Sequence, residues 1–495
     1  MNIRQAKNEI KHTVEAYLKK DEAGDYEIPE IRQRPVLLMG PPGIGKTQIM
    51  EQIARELGVG LVAYTITHHT RQSAVGLPFI REEEFAGKTY SVTEYTMSEI
   101  IASVYRRIRD SGQREGILFI DEINCVSETL APTMLQFLQC KTFGNQKIPE
   151  GWVIVAAGNP PEYNKSVRDF DMVTLDRVRY MTVEADYRVW KEYARAQHIS
   201  GAILSYLELR PGNFYRVEAD VDGMQFVTAR GWEDLSNLMA VYEKLGFLVD
   251  EQVIREYIHH ADVAEDVAAY LDLYRKYQDD YGIPQILDGC VRPEIYARIY
   301  AAAFDERLSV VHLLLDGLAA FFGRAASERA LTDAWYAFLK EYRRQVETAA
   351  DPAECYRTLV AEREQEMLRQ IANDAYTREE AKREKLLMEK LKAAQQEVTK
   401  DSAQRCFEAA KVGFDRQREV LVQTEEAALE HAFDFMEQAF ENGEEMVVFV
   451  TELTITSESA RFLSEHTCER YLTYNKQLLI GTRRAELLSE LRRDN

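Results

Sequence analysis

The sequence predicts an α/β fold built on a parallel sheet, followed by a long all-α region. Three observations predict it. The stretch Gly40-Pro41-Pro42-Gly43-Ile44-Gly45-Lys46-Thr47 follows an apolar run, 36–39, and opens a helix-like segment, 48–57. Two more apolar runs, 117–120 and 152–157, have the composition of strands buried on both faces of a parallel sheet. Beyond residue 183 helical spacing takes over, and after Pro352 there is no proline while Glu, Lys, Arg, Gln and Ala dominate.

Strand, glycine turn, Lys-Thr and helix in that order make a phosphate-binding loop. Its glycines let successive N–H groups point into one concavity, and the helix N-terminus adds partial positive charge. Lys46 is expected to reach the β- and γ-phosphates of a nucleotide, and the Thr47 hydroxyl to ligate Mg²⁺.

Composition bounds the rest. The chain of 495 residues has room for two to four domains. A formal charge of −21 argues against bulk binding to nucleic acid or anionic membrane, since either calls for a basic face. Six cysteines are scattered without a C-x-x-C pair, which is neither a disulfide framework nor a zinc pattern and fits a reducing compartment. The pairs His68-His69 and His259-His260 read as ordinary residues. No apolar run reaches the length of a membrane span, and no signal core opens the chain, so a cytoplasmic location is expected.

In chain order, Ile10, Val14 and Leu18 mark a short amphipathic helix. A turn-rich approach, 21–35, leads to the first strand, and 59–67 reads as the second. Residues 77–81 and 89–92 look like an inserted hairpin with an acidic turn at Glu82, Glu83 and Glu84. A helix is expected over 97–109. The run 116–120 then ends in Asp121-Glu122, at the strand edge where α/β sheets bind ligands. There Asp121 would hold Mg²⁺ through water and Glu122 would polarise the attacking water. Another helix contains Met134 and Leu138, and a small hairpin turns at Gly144-Asn145. The strand 152–157 places Asn159 at the same edge, where its amide suits holding a lytic water. Arg177 and Arg179 suit a subunit edge, where one would reach a neighbour's γ-phosphate. Helices follow over 189–197 and 202–209, and Thr228 caps one that carries Arg230 near its start.

Together these residues resemble an AAA+ ATPase, most nearly the MoxR family in the helix-2-insert group, which includes dynein-related ring ATPases. The resemblance covers residues 32–245. GPPGIGKT is similar to Walker A, ILFIDE to Walker B, and the Asn159 of AAGNPP to sensor 1. The arginine of TLDRVRY is similar to the arginine finger, and Arg230 of TARGWEDL to sensor 2. The two hairpins occupy the positions of the helix-2 and pre-sensor-1 inserts. In the family an aromatic follows the finger arginine. Here Val178 and Arg179 follow, so the finger is Arg177 or Arg179, with Arg177 favoured. The resemblance implies an ATP- and Mg²⁺-dependent homo-oligomeric ring, usually a hexamer, that remodels protein partners. Members often act beside a von Willebrand factor A-type domain protein.

The expected domains are a nucleotide-binding core over 1–182, a helical lid over 183–275, a helical domain over 276–345 and a C-terminal bundle or coiled coil over 346–495. The run 310–315 reads as buried helix. Leu387, Leu391, Ala394 and Val398, and again Leu429, Phe433, Met436 and Phe440, form seams of coiled-coil spacing. These seams suit docking a substrate, a partner or a neighbouring subunit, or bracing a ring. Residues 444–456 fit helix or strand equally. The functional expectation is an ATP-hydrolysing protein remodeller; the alternatives are a nucleic-acid motor and a nucleotide-regulated scaffold.

Overall fold

Short runs with no polar residue must be covered on both faces, and that requirement organises the α/β part of the chain. The computed structural model describes all residues except 69–73, 75, 144–145, 164–166, 168–169, 221–222, 348–350, 373–375, 395–401, 442 and 479–495. It divides into two compact units, Met1–Trp190 with Phe214–Trp232, and Lys191–Asn213 with Glu233–Asn495.

The strands of the first unit are β1 (Val36–Met39), β2 (Gly60–Thr65), β3 (Pro78–Phe85), β4 (Lys88–Tyr95), β5 (Gly116–Asp121), β6 (Thr142–Phe143), β7 (Gln146–Lys147), β8 (Trp152–Gly158), β9 (Arg179–Thr182), β10 (Arg216–Asp220) and β11 (Gly223–Val227). Five of them form one sheet in the order β2-β5-β8-β1-β9, and every pairing in it is parallel. Alternate residues fill two cores. Val36, Leu38, Ile117, Phe119, Val153 and Val155 meet the helices Ile3–Leu18 and Lys46–Leu57. Leu37, Leu118, Ile120, Ile154 and Ala156 meet Glu99–Ser111 and Ala131–Cys140. The register sets Met39 beside Gly158 and Thr65 beside Asp121. The chain therefore leaves β1, β5 and β8 at one shared rim.

The long hairpin β3–β4 is present, but its turn is Ala86-Gly87, with φ of 52° and 77°, and not the three glutamates. Two consecutive positive φ values match the twist of a hairpin, and glycine supplies one without strain. Glu82, Glu83 and Glu84 remain in the strand. The small hairpin β6–β7 pairs Thr142 with Lys147, and its expected Gly144-Asn145 turn lies outside the described residues. A hairpin absent from the sequence reading, β10–β11, interrupts the helical texture after residue 183.

The second unit is helical, around the 43-residue helix Phe304–Val346. By length and composition this helix is apolar enough to cross a membrane, which departs from the sequence expectation. Its residues 308–315 are all buried within the unit, where it packs on Gly201–Leu209, Ile283–Leu287 and Ser402–Phe440. The two apolar seams are also internal. Leu387 and Leu391 pack with Phe338, Tyr342, Tyr356 and Val360. Leu429, Phe433, Met436 and Phe440 are buried, on a helix that packs against Phe304–Val346 and Glu444–Ile455. Val398 and His69 lie outside the described residues. The ambiguous run 444–456 is helix over Glu444–Ile455.

Candidate nucleotide site

The loop after β1 is shaped by its glycines. Gly43 and Gly45 take φ of 73° and 91°, a region that a side chain disfavours. A Cβ on Gly40 would stand 2.7 Å from the Val183 carbonyl, so the loop lies tight against the chain leaving β9. Gly45 is also the N-cap of Lys46–Leu57 and offers that helix no side-chain cap. The first-turn N–H groups are thereby left for an anion. Ile44 is buried and anchors the loop in the core, while the Pro42 carbonyl accepts a hydrogen bond from the Tyr215 hydroxyl at 2.9 Å.

Lys46 is 8% exposed, and its ammonium donates to Gly40 O, Pro41 O and Asn159 Oδ1, each at 2.8 Å. Burial pushes its pKa down to about 8, with Asp121 and Glu122 opposing the shift and Arg230 adding to it. All three ionic neighbours are thus close enough to feel the ammonium. Thr47 donates its hydroxyl to Asp121 Oδ2 at 3.0 Å. The lysine, the threonine, the aspartate and the asparagine meet at one rim, although 113 positions separate Lys46 from Asn159.

Asp121 ends β5, and its Oδ1 accepts from the Glu122 N–H at 2.9 Å. Glu122 sits in the left-handed region at φ 58°, ψ 35°, which turns the chain sharply off the strand. Its Oε2 accepts from the Thr67 hydroxyl at 2.9 Å. Thr67 lies just beyond β2, the strand paired with β5. Sequence reading missed this residue. Its signal is only positional, a hydroxyl one short turn past a strand that borders the acidic one.

Asn159 follows β8, and its carbonyl accepts from Asn124 Nδ2 at 2.8 Å. Asn124 is buried, and a Cβ on Gly158 would fall 2.5 Å from its Oδ1. Glycine at the end of β8 is what leaves room for that amide, a second positioning residue the sequence did not reveal.

The arginines differ. Arg230 N donates to Gly43 O at 3.2 Å, and a Cβ on Gly43 would touch Thr228 at 3.0 Å, so the start of the helix Ala229–Leu245 rests on the phosphate loop. Thr228 caps it by accepting from the Gly231 N–H. Arg179 is spent within its own chain on Thr13 and Glu9 of the first helix. Arg177 is exposed and bonds Gln139. It is not brought to Lys46 by any contact within the described residues.

Oxygen donors from Thr47 and Asp121, already in contact, are the hard and sparse ligand set that suits Mg²⁺, an ion that keeps most of its waters. Among the described residues no cluster of three or more His, Cys, Asp or Glu offers an alternative metal site.

Residues 35–178 match the AAA domain family, dynein-related subfamily. Among curated proteins, the ATPase family gene 2 protein homolog B of Bos taurus is 35% identical over 94 residues, which is 19% of this chain. The chain spans 10% of the length of that relative. The first unit therefore carries an AAA-type P-loop domain, and nucleotide binding follows from it.

Proposed function

We propose that the chain is an ATPase of MoxR type, which binds ATP with Mg²⁺ at the rim of β1, β5 and β8 and uses its hydrolysis to remodel protein partners. The observation that carries the reading is the convergence of Lys46 with Asn159 and of Thr47 with Asp121. In this reading the loop N–H groups and Lys46 bind the phosphates, and Thr47 and Asp121 hold the ion. Bound there, Mg²⁺ would neutralise charge on the phosphates. Glu122, aimed by its backbone and by Thr67, accepts the proton of the attacking water. Asn159 orients that water, and Arg230 adds positive charge from its own chain.

The reading includes a homo-oligomeric ring, taken as a hexamer, in which Arg177 reaches the site of a neighbouring copy. Arg177 suits this better than Arg179, because it is exposed whereas Arg179 is held by Glu9 and Thr13. A von Willebrand factor A-type domain protein is the proposed companion. The acidic balance of −21 supports protein over nucleic-acid partners.

The test is Glu122→Gln in the full chain. It should bind ATP as the wild type does and assemble with it, while turnover falls by about 100-fold or more. Turnover at the wild-type rate would remove Glu122 from the reaction. A separate Arg177→Ala protein should bind ATP normally and hydrolyse it slowly, and mixing it with the Lys46→Met protein should restore part of the activity.

A further inference from the structure

Asn159 is gripped at two points, by partners of different kinds. Its side-chain Oδ1 accepts from the Lys46 ammonium and its main-chain carbonyl accepts from Asn124 Nδ2, each at 2.8 Å. In the ATPase reading Lys46 exchanges its oxygen partners for those of the phosphates, so nucleotide binding releases the first grip. The second involves no group that meets the nucleotide, and it stays.

The Asn124 grip rests on a fixed frame. Glu122 turns off β5 at φ 58°, and the tight turn Ile123–Cys125 follows, closed by the Cys125 N–H donating to the Glu122 carbonyl at 2.9 Å. Ile123 and Val126, on either side of Asn124 and Cys125, are buried in the same core as Ile154 and Ala156 of β8. One short turn thus carries Glu122 at its start and, two residues on, the amide that holds Asn159. Asn124 is 2% exposed, and its Oδ1 has no hydrogen-bond partner among the described residues. A buried acceptor without a donor costs folding stability. An aliphatic side chain would serve packing better, so the amide is explained by what its Nδ2 holds. Gly158 completes the seat: a Cβ there would stand 2.5 Å from Asn124 Oδ1 and 2.9 Å from Met39 Sδ. Gly158 lies in β8 and pairs with Met39 without a positive φ, so the requirement is for space.

We propose that Asn124 is a positioning residue for hydrolysis, fixing the main chain of Asn159 against the turn that carries Glu122, so that the two side chains keep one spacing after Lys46 has let go. The inference rests on the ATPase reading and deepens it. Its effect is confined to the attack of water, because phosphate binding by the loop and Lys46 does not pass through Asn124. A loosened Asn159 carries its amide away from that water, and a misplacement of about 1 Å at a reacting centre costs rate steeply.

The test uses the full chain and measures ATP turnover, ATP affinity and affinity for ADP with aluminium fluoride, a mimic of the phosphoryl group in transfer. Asn124→Ala should lower kcat about tenfold, leave KM and ATP affinity within about twofold, and weaken the aluminium fluoride complex about tenfold. Gly158→Ala attacks the same bond from the neighbouring strand by pushing the amide aside, and should give the same split. In an Asn159→Ala protein, Asn124→Ala should cost nothing further, since the side chain that it positions is gone. A packing role alone would instead depress ATP affinity together with kcat and would persist in the Asn159→Ala background. The inference is overturned if Asn124→Ala turns over like wild type, if its ATP affinity falls as far as its kcat, or if its whole effect adds to that of Asn159→Ala. A wild-type chain without ATP turnover is a different failure, which removes the ATPase reading and this inference with it.

Discussion

Each of the two units buries a basic side chain, and the surroundings of the two could hardly differ more. In the α/β unit, Lys46 is held by two carbonyls and an amide oxygen, all neutral, and the carboxylates that it feels bond other groups. In the helical unit, Arg195 reaches Asp316 and Glu452, each at 3.1 Å, and Lys191 pairs with Glu208 at 2.5 Å and also with Glu452. Tyr274 donates to Asp316, and a Cβ on Gly201 would collide with that carboxylate, so the cluster is closely fitted. A buried cation whose contacts are neutral keeps its attraction for an incoming anion. One matched by carboxylates has none left. The first arrangement binds ligands, and the second holds helices together.

The contrast can be broken by removing charges one at a time. The largest effect is expected from Glu452→Ala, which removes the carboxylate that Arg195 and Lys191 share, leaves each with one partner, Asp316 and Glu208, and should destabilise the helical unit by about 3 kcal/mol. Denaturant unfolding checks it, and nucleotide affinity of the folded fraction should not change. Lys46→Met is the mirror case. It keeps the volume and removes the cation, so nucleotide affinity should fall about 100-fold or more, while the three oxygens left without the ammonium lower stability by only about 1 kcal/mol. Titration with a labelled nucleotide beside a melting curve separates the two.

A pH series sharpens the comparison with a smaller effect. The free protein loses the Lys46 proton near pH 8, below the ordinary 10.5. Anion binding needs the protonated form, so nucleotide affinity should fall above pH 8, by up to about tenfold per unit. Stability runs the other way. Between about 8 and 10.5 the unfolded chain binds more protons at this lysine than the folded one, and this contribution to folding stability increases with pH. The smallest effect belongs to Thr67→Val, which deletes the hydroxyl bonded to Glu122. Turnover should drop about fivefold at unchanged nucleotide affinity, as steady-state kinetics would report.

Legibility in the sequence followed the range of the cause. The phosphate loop and the sheet strands could be read because local pattern dictates them: glycines where φ is positive, and apolar runs where both faces are covered. The residues leaving β1, β5 and β8 could be placed at one rim because parallel strands share a direction. Thr67 and Asn124 could not, since each matters only through a neighbour supplied by another strand. The β10–β11 hairpin is masked in the sequence by the helical texture on either side of it, although its residues alternate. The acidic run Glu82, Glu83 and Glu84 reads as a turn on polarity alone, whereas the chain turns at Ala86-Gly87, where φ is positive. The seams at Leu387 and Leu429 are legible as apolar stripes, but stripe spacing does not say whether the covering surface belongs to the same chain.

The left-handed backbone at Glu122 has a further implication for anyone seeking a hardier protein. A residue with a Cβ pays about 1 kcal/mol there, a penalty that glycine escapes. Selection for heat resistance alone would therefore favour Glu122→Gly, and under the proposed ATPase reading the survivor should turn over about 100-fold or more slowly. Screens for thermostable variants of this chain should carry a turnover assay from the first round.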